Sequence, residues 1–257
     1  MSLYRHSVRR RFDSAAASYE ARASVQAAVA ERLVALLPPP GSVRRILEIG
    51  CGTGLLTRRL AARYPDAAIE ALDHSSRMIE TARRGLPGVA WRVADLLDYE
   101  WAEPCDLITS NCSLHWIQPI EAGLRKLRAG LAPGGRLVFS IMLDGTLGEL
   151  RDARLRAAPS KPPLGRLPAL EEVCRAAAVA GFRIEQSQEE ILREEYPSAT
   201  LFLRHIHDMG LTGGAISRAA VPLNRREIER LTTDYDRFRT ESGGVTASYV
   251  AGYVVAG

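Results

Sequence analysis

A glycine-rich turn near residue 50 constrains the fold of this chain more than any other feature. Residues 46–49 form a short, mostly apolar run, and three glycines follow at alternate positions: Gly50, Gly52 and Gly54. A helical pattern of leucines comes next, so the order predicts a strand, a tight turn and a helix start. Because glycine lacks a Cβ atom, backbone amides in such a turn can approach a ligand closely. We therefore expect a nucleotide-like ligand, while a turn that only joins a strand to a helix is the alternative.

The spacing of the glycines argues against a dinucleotide as that ligand. A dinucleotide-binding turn has its third glycine one position later, where this chain has Leu55. The sequence also shows no evident proton donor for hydride chemistry. An NAD(P)-dependent oxidoreductase is therefore the weaker hypothesis for this turn.

Strand and helix patterns alternate along most of the chain. This alternation predicts βαβ units, a parallel sheet and right-handed crossovers. The predicted fold class is α/β, with a Rossmann-like, seven-stranded, mostly parallel sheet. A helical pattern at 120–131 stops at a Pro-Gly-Gly turn, and the proline-rich stretch 152–166 is predicted to be a surface loop. The predicted strands are 46–49, 68–72, 89–93, 106–110, 136–142, 182–191 and 246–255.

Helical segments flank this sheet in sequence and suggest a division into three parts. We predict an N-terminal helical cap at 1–41, whose apolar positions recur at helical spacing before a run of prolines. The α/β core is predicted at 42–196 and 244–257. Between the last two strands, 197–243 reads as two polar helical pieces, and an insert of this length in a compact domain is usually functional. We therefore predict that it is a helical lid that contributes to substrate binding.

Composition and charge exclude several classes of protein. The chain has 257 residues, 46% of them hydrophobic, which is enough to bury a sizeable core. The formal net charge of +4 is spread along the chain, whereas nucleic-acid binding usually requires a clustered basic stripe. No apolar run approaches the length of a membrane span, and no apolar segment follows the basic residues 1–11 as in a secretory signal. The four cysteines form no CxxC pair, so we expect reduced thiols in a cytoplasmic protein.

Two acidic residues follow the second and third predicted strands. Asp73 lies 21 residues after Gly52, where an acid can accept hydrogen bonds from both hydroxyls of a ribose. The alternative is a cap for the following helix, and both roles can hold together. Asp95 lies at the next position along the same sheet edge and can accept from an adenine amino group, while Leu96 can cover the ring. Ligands of open α/β sheets bind at this edge.

The glycine turn, the two acids and a Pro-Gly-Gly turn before the fifth strand together resemble the class I S-adenosylmethionine-dependent methyltransferases. The resemblance covers 45–143. It implies S-adenosylmethionine as the cofactor, with the glycine turn at its methionine part, Asp73 at the ribose and Asp95 at adenine. The residues expected to bind the cofactor are Glu48, Gly50, Gly52, Gly54, Asp73, His74, Met78, Asp95, Leu96 and Asn111.

A second set of segments is spread over almost the whole chain: 12–19, Gln26, Ser110, Asn111 and Trp116, 145–150, Leu203, Arg204, Met209 and Gly210, and 246–249. Together these segments resemble the malonyl-acyl-carrier-protein O-methyltransferases of biotin synthesis. The resemblance implies an enzyme that methylates the free carboxyl of a malonyl thioester, carried by an acyl carrier protein or coenzyme A, and we expect a monomer. The alternative is a class I enzyme for another small carboxylic acid or a phenol, and a partner module without catalysis is a third hypothesis.

Methylation of a malonyl carboxylate requires no general acid or base. A malonyl carboxylate is ionised near neutral pH, so methyl transfer requires alignment and the exclusion of water. Tyr19 resembles the family tyrosine that closes over the cofactor, His115 can donate a hydrogen bond to substrate, and Arg204 can clamp a carboxylate through two hydrogen bonds. For each of these three expected catalytic residues a purely structural or solvent-exposed role is the alternative. His205 and His207 point in different directions on a helix, so we expect no metal.

Overall fold

A single mixed sheet organises the structure. The computed structural model describes residues 3–213 and 221–257, and all seven strands found there belong to this sheet. Their bounds are β1 (Arg45–Ile49), β2 (Ala68–Asp73), β3 (Ala90–Val93), β4 (Cys105–Ser110), β5 (Leu131–Met142), β6 (Ile184–Tyr196) and β7 (Val245–Ala256). The strand order is β3-β2-β1-β4-β5-β7-β6, with β7 antiparallel to both of its neighbours and the pairs among the first five strands parallel. The predicted fold class is confirmed.

Helices cover both faces of the sheet. No helix in the described ranges is long and apolar enough to cross a membrane. The helices are α1 (Leu3–Tyr19), α2 (Ser24–Ala35), α3 (Leu55–Arg63), α4 (Ser76–Arg83), α5 (Ile120–Ala129), α6 (Gly148–Ala157), α7 (Leu170–Val179), α8 (Ala199–Asp208) and α9 (Arg225–Tyr235).

Several helix starts are fixed by polar caps that the sequence supplies. The Ser75 hydroxyl accepts from the backbone N–H of Met78 at 3.1 Å and so begins α4. Asn224 accepts from the Glu227 amide at 3.0 Å, while the Glu227 carboxylate accepts from the Asn224 amide at 2.7 Å. Such reciprocal bonds satisfy amides that have no partner within the first turn of a helix. The starts of α4 and α9 are therefore specified locally.

Two apolar clusters, one on each face of the sheet, form the core. Successive side chains of a strand point to opposite faces. Accordingly, Val138 of β5 packs in a cluster with Leu33 of α2, whereas its neighbour Phe139 packs in the other cluster with Leu127 of α5. Burial on both faces explains why a central strand such as β1 carries consecutive buried apolar residues, as at Ile46 and Leu47.

The helices α8 and α9 pack on the core beside β6 and β7. Phe202 of α8 is fully buried, and its ring centroid lies 5.1 Å from that of Tyr196 in β6 and 5.1 Å from that of Tyr235 in α9. These rings belong to the same apolar cluster as the sheet. Part of the predicted lid, at 214–220, lies outside the described residues, and the division of the chain into cap, core and lid remains a prediction.

The structure differs from the sequence-based prediction in two connections. The predicted surface loop at 152–166 is wrong in its first part, because α6 continues to Ala157 with Leu150, Ala153 and Ala157 buried. Those positions have helical spacing, and α6 packs against α9, a partner that local composition does not reveal. The helix predicted to reach residue 131 ends at Ala129, because Leu131 already pairs with Cys105 of β4.

Because Phe202 joins the helical insert to the sheet, Phe202→Ala is expected to lower the free energy of unfolding by about 3–5 kcal/mol. Urea denaturation followed by circular dichroism measures this change. Leu201→Ala is the matched control, since Leu201 is 43% exposed on the same helix. Equal effects of the two substitutions would mean that α8 contributes no core packing.

Candidate active site

The glycine turn lies where the sheet changes its direction of growth. The chain runs outward from β1 through β2 and β3 and then returns to place β4 on the other side of β1. Ligands of open α/β sheets bind at such a point. Gly50 has a φ of +65°, and a Cβ atom on it would lie 2.3 Å from the Ser113 hydroxyl oxygen. That hydroxyl donates to the Ile49 carbonyl at 3.1 Å, so the loop after β4 approaches too closely for any residue but glycine.

Asp73 connects this turn to the end of β2. Its carboxylate accepts from the Gly52 amide at 2.9 Å and from the Ser75 amide at 2.8 Å, one bond to each oxygen. The side chain is buried, and Ser75 is the N-cap of α4. The helix cap is thus Ser75 and not Asp73, which supports the helix start only through its bond to the Ser75 amide. Each carboxylate oxygen of Asp73 has a further lone pair that can accept from a ribose hydroxyl, and this role stays a prediction.

The cavity beside this turn fits an adenosyl cofactor. Gly52 has a φ of +55°, and a Cβ atom on it would meet no protein atom within 4 Å, so the backbone leaves open space where a ligand can approach. His74 adds a buried Nε2 atom that has no hydrogen-bond partner among the described residues. Eight of the ten residues expected to bind the cofactor line this cavity: Gly50, Gly52, Asp73, His74, Met78, Asp95, Leu96 and Asn111.

Asp95, the residue expected to bind adenine, is already held by two partners. One carboxylate oxygen accepts from the Leu97 amide at 2.9 Å, and the other lies 2.9 Å from Nη1 of Arg5. Arg5 belongs to α1 and also lines the cavity. The sequence analysis missed Arg5, and no local signal could have found it, since its partner lies 90 residues away.

The helix α1 covers the cofactor cavity at the carboxyl edge of the sheet, with Arg5, Val8, Phe12 and Tyr19 in the cavity lining. Asp13 accepts from the Ser75 hydroxyl at 2.6 Å, so this end of α1 is tied to the N-cap of α4. Phe12 packs edge-on against Trp116, with ring centroids 5.3 Å apart, and against His74 at 6.1 Å. Together with the Arg5 contact, these interactions hold α1 across the sheet edge.

A second cavity adjoins the first on the side of β5 and β7. Tyr19, Cys112, Trp116 and Phe12 line both cavities and so form the boundary between them. No charged residue of the described ranges lines the second cavity. Its other lining residues are Tyr4, Gln26, His115, Met142, Thr146, Leu147, Leu167, Leu211 and Tyr249.

Two of the expected catalytic residues, Tyr19 and His115, lie in this second cavity. Burial lowers the pKa of His115 to about 3, and its Nδ1 atom has no hydrogen-bond partner among the described residues. Burial likewise raises the pKa of Tyr19. At neutral pH both groups are uncharged and can form hydrogen bonds, and the donor role expected of His115 stays a prediction.

Gln26 and Tyr249 also line the cavity, although the sequence analysis assigned them no role. Gln26 is buried, and its main-chain carbonyl oxygen accepts from the Asn111 side-chain amide at 3.0 Å. The Tyr249 hydroxyl lies 3.0 Å from that of Tyr196, which donates to Glu194 at 2.7 Å. A hydroxyl has a single proton, and that of Tyr196 is used in the bond to Glu194. In the bond between the two tyrosines the donor is therefore Tyr249, whose oxygen can still accept a hydrogen bond from another group. The only sequence signal for either residue was membership of a resembling segment.

Three expected site residues are not brought to the cavities. Glu48 is buried, with its pKa raised to about 8 chiefly by burial, and it lines neither cavity. Gly54 precedes α3 with a φ of +88° and faces Ala82 and Trp91 instead. Arg204 is exposed on α8 and lines neither cavity, so its expected role as a clamp on the substrate carboxylate stays a prediction. The polar pattern of α8 had not shown which face of the helix would point inward.

Known proteins are similar to this chain in sequence and in fold. Residues 46–135 match a methyltransferase domain family. A malonyl-[acyl-carrier protein] O-methyltransferase of Geobacter sulfurreducens is 35% identical over 98% of each chain, and one of Hahella chejuensis is 33% identical over 95% of this chain and 87% of its own length. The solved DhpI-SAM-HEP complex has a TM-score of 0.56 at 23% identity, over 74% of this chain and 94% of that one.

The sheet order, the glycine turn and the acids at the carboxyl ends of β2 and β3 define a class I S-adenosylmethionine-dependent methyltransferase. Identity above 30% over nearly the full length of several relatives narrows this class. The chain belongs to the malonyl-[acyl-carrier protein] O-methyltransferase family.

If Asp73 holds the ribose, Asp73→Ala is expected to weaken cofactor binding by about 1.5–3 kcal/mol, because charge-assisted hydrogen bonds are lost. Calorimetric titration with S-adenosylmethionine measures the affinity, and thermal melting monitors the loss of the two backbone contacts. Asp66→Ala is the control, since Asp66 is exposed after α3. An unchanged dissociation constant for Asp73→Ala would remove this residue from the cofactor site.

The lowered pKa of His115 makes stability depend on pH. In the unfolded chain a histidine binds a proton below about pH 6.5, whereas folded His115 resists protonation down to about pH 3. Stability therefore falls as the pH drops through this window, by up to about 1.4 kcal/mol per unit. His115→Gln is expected to remove that part of the decline in urea titrations between pH 7 and 4. His6→Gln, at an exposed position, serves as control; parallel curves for wild type and His115→Gln would contradict the expectation.

Proposed function

We propose that this chain transfers a methyl group from S-adenosylmethionine to the free carboxyl of a malonyl thioester, as a step of biotin synthesis. The observation that carries the proposal is the second cavity, which is lined by neutral groups and shares a wall with the cofactor cavity. When bound, the cofactor supplies a methyl group already activated on a sulfonium sulfur. The protein then has to bind, orient and desolvate the carboxylate.

The donors in the second cavity suit a carboxylate. His115 remains neutral at physiological pH and can donate from a ring nitrogen, while Tyr19 can donate from its hydroxyl at the boundary between the cavities. Hydrogen bonds of this kind fix the direction of the carboxylate oxygens. The apolar walls, among them Trp116 and Met142, exclude water that would otherwise solvate the nucleophile.

The same groups argue against the phenol considered as an alternative substrate. A phenol has a pKa near 10 and needs a general base to become a nucleophile at neutral pH. With its pKa lowered to about 3, His115 is a poor base, and no carboxylate of the described ranges lines the cavity. A carboxylic acid, which needs no general base to become a nucleophile, is therefore favoured over a phenol.

The proposed setting is a monomer in the cytoplasm, without a nucleic-acid or membrane partner. The spread of the positive charges along the sequence supports the lack of a nucleic-acid partner, and the four free thiols support the cytoplasmic setting. In the described part of the chain, no group of three or more His, Cys, Asp or Glu residues could hold a metal ion.

Incubation with methyl-labelled S-adenosylmethionine and malonyl-acyl carrier protein tests the proposal. We expect label in the thioester that base treatment releases, because the product is a methyl ester. Acetyl-acyl carrier protein is the matched control, since it lacks the free carboxyl, and it should stay unlabelled. Transfer to another small acid or a phenol, with none to the malonyl thioester, would overturn the assignment.

A further inference from the structure

A groove on the outer side of α1 lies against the end of α8 and the short 3-10 turn Leu211–Gly213. It is separate from the two cavities of the candidate active site. Most of its lining side chains are polar or basic, and they include His6, Arg10, Arg11, Ser14, His207 and Thr212. None of these residues has a part in the cofactor or substrate contacts described above.

The groove carries an excess of positive charge. Arg10 is exposed and forms no ion pair with any described residue, while Arg11 donates to the Thr212 hydroxyl at 2.6 Å. Asp208 is the only acidic residue of the described ranges in the lining, and Arg22 lies 3.2 Å from its carboxylate. With Asp208 paired to Arg22, the side chains of Arg10 and Arg11 have no acidic partner among the described residues that line the groove.

The basic strip continues along the exposed face of α8. Arg204 and His207 are three residues apart, so they project from the same side of the helix. Both are exposed. This position gives Arg204 a place outside the cavities, facing solvent beside the groove and away from the carboxylate that it was expected to clamp.

The groove is formed by the same two segments that cover the second cavity, which are α1 and the residues around Leu211. The inner side of α1 covers that cavity with Tyr4, Phe12 and Tyr19, and Leu211 closes it beside them. The neighbours of Leu211, Gly210 and Thr212, line the groove. Groove and cavity thus lie on opposite sides of the same two segments.

The seam between α1 and α8 is tight. Gly210 has a φ of +74°, and a Cβ atom on it would lie 3.1 Å from the Arg11 carbonyl oxygen. A thioester that enters the second cavity between α1 and Leu211 therefore has to separate Gly210 from Arg11. The carrier of that thioester would then contact the basic groove.

We propose that this groove is the docking surface for an acidic carrier protein that presents the malonyl group. The inference rests on the proposed function and goes beyond it by placing the carrier protein on a defined surface of the chain. An acyl carrier protein is an acidic partner, and the groove and the face of α8 supply complementary charge over an area wider than one phosphate. Such complementarity acts mainly on the rate of encounter, so it changes KM more than the chemical step.

The test compares three malonyl thioesters as substrates: acyl carrier protein, coenzyme A, and N-acetylcysteamine, which is uncharged apart from the malonyl carboxylate. The variant is Arg10→Glu combined with His207→Glu, and Arg125→Glu, an exposed charge reversal on α5, is the control. For the double variant, we expect kcat/KM with the carrier protein to fall by about tenfold or more at low salt, mainly through KM. Activity with the N-acetylcysteamine thioester and the melting temperature should stay as in the wild type.

Salt provides a second readout. Activity of the wild type with the carrier protein should fall as ionic strength rises, because salt screens exposed charges. In the double variant that dependence should be reduced, while Arg125→Glu should retain it.

Each other outcome overturns the inference in a distinguishable way. Equal loss with all three thioesters would place the groove in the catalytic machinery, and no loss with the carrier protein would remove it as a docking surface. A loss with coenzyme A as large as that with the carrier protein would mean that the groove binds a phosphate-bearing arm. If the wild type methylates no malonyl thioester, the proposed function itself fails and the docking inference falls with it.

Discussion

The Asp73 carboxylate is the contact on which the rest of the site depends. It accepts from the Gly52 amide and the Ser75 amide, and so fixes the glycine turn, the end of β2 and the start of α4 relative to one another. Ser75 in turn donates to Asp13 of α1. A single buried acid thus fixes the cofactor turn and, through one further hydrogen bond made by Ser75, contributes to the position of the covering helix.

This arrangement couples the covering helix to the cofactor cavity at two points. Besides the bond of Asp13 to Ser75, Arg5 forms an ion pair with Asp95, at the far end of the cavity. Both anchors follow strands at the carboxyl edge of the sheet. If Asp95 meets adenine, as the sequence predicts, the position of α1 and the occupancy of the adenine end depend on the same carboxylate. Closure that excludes water would then be linked to cofactor binding.

Much of the site was predictable because its signals are local. The spacing of Gly50 and Gly52 with the acid after β2 needs only the rules of parallel sheets, whereas Arg5 finds Asp95 through packing of distant segments, which single-sequence patterns do not contain. The helix at 148–157 was missed in part because proline-rich residues follow it and its partner α9 comes much later in the chain. For Arg204 the residue type suggested a clamp, but only tertiary packing decides which face of α8 points inward.

The distribution of charge has a consequence for catalysis. In methyl transfer to a carboxylate, the negative charge of the nucleophile is lost on the way to the transition state, so a fixed cation beside it stabilises the ground state more than the transition state. The second cavity offers neutral groups such as His115 and Tyr19, while exposed arginines such as Arg10 and Arg204 lie outside it. Positive charge at the surface can attract an anionic partner without holding back the nucleophile. The loss of charge on the carboxylate therefore favours cations at the surface, where they attract the partner, and neutral groups in the cavity, where the carboxylate reacts.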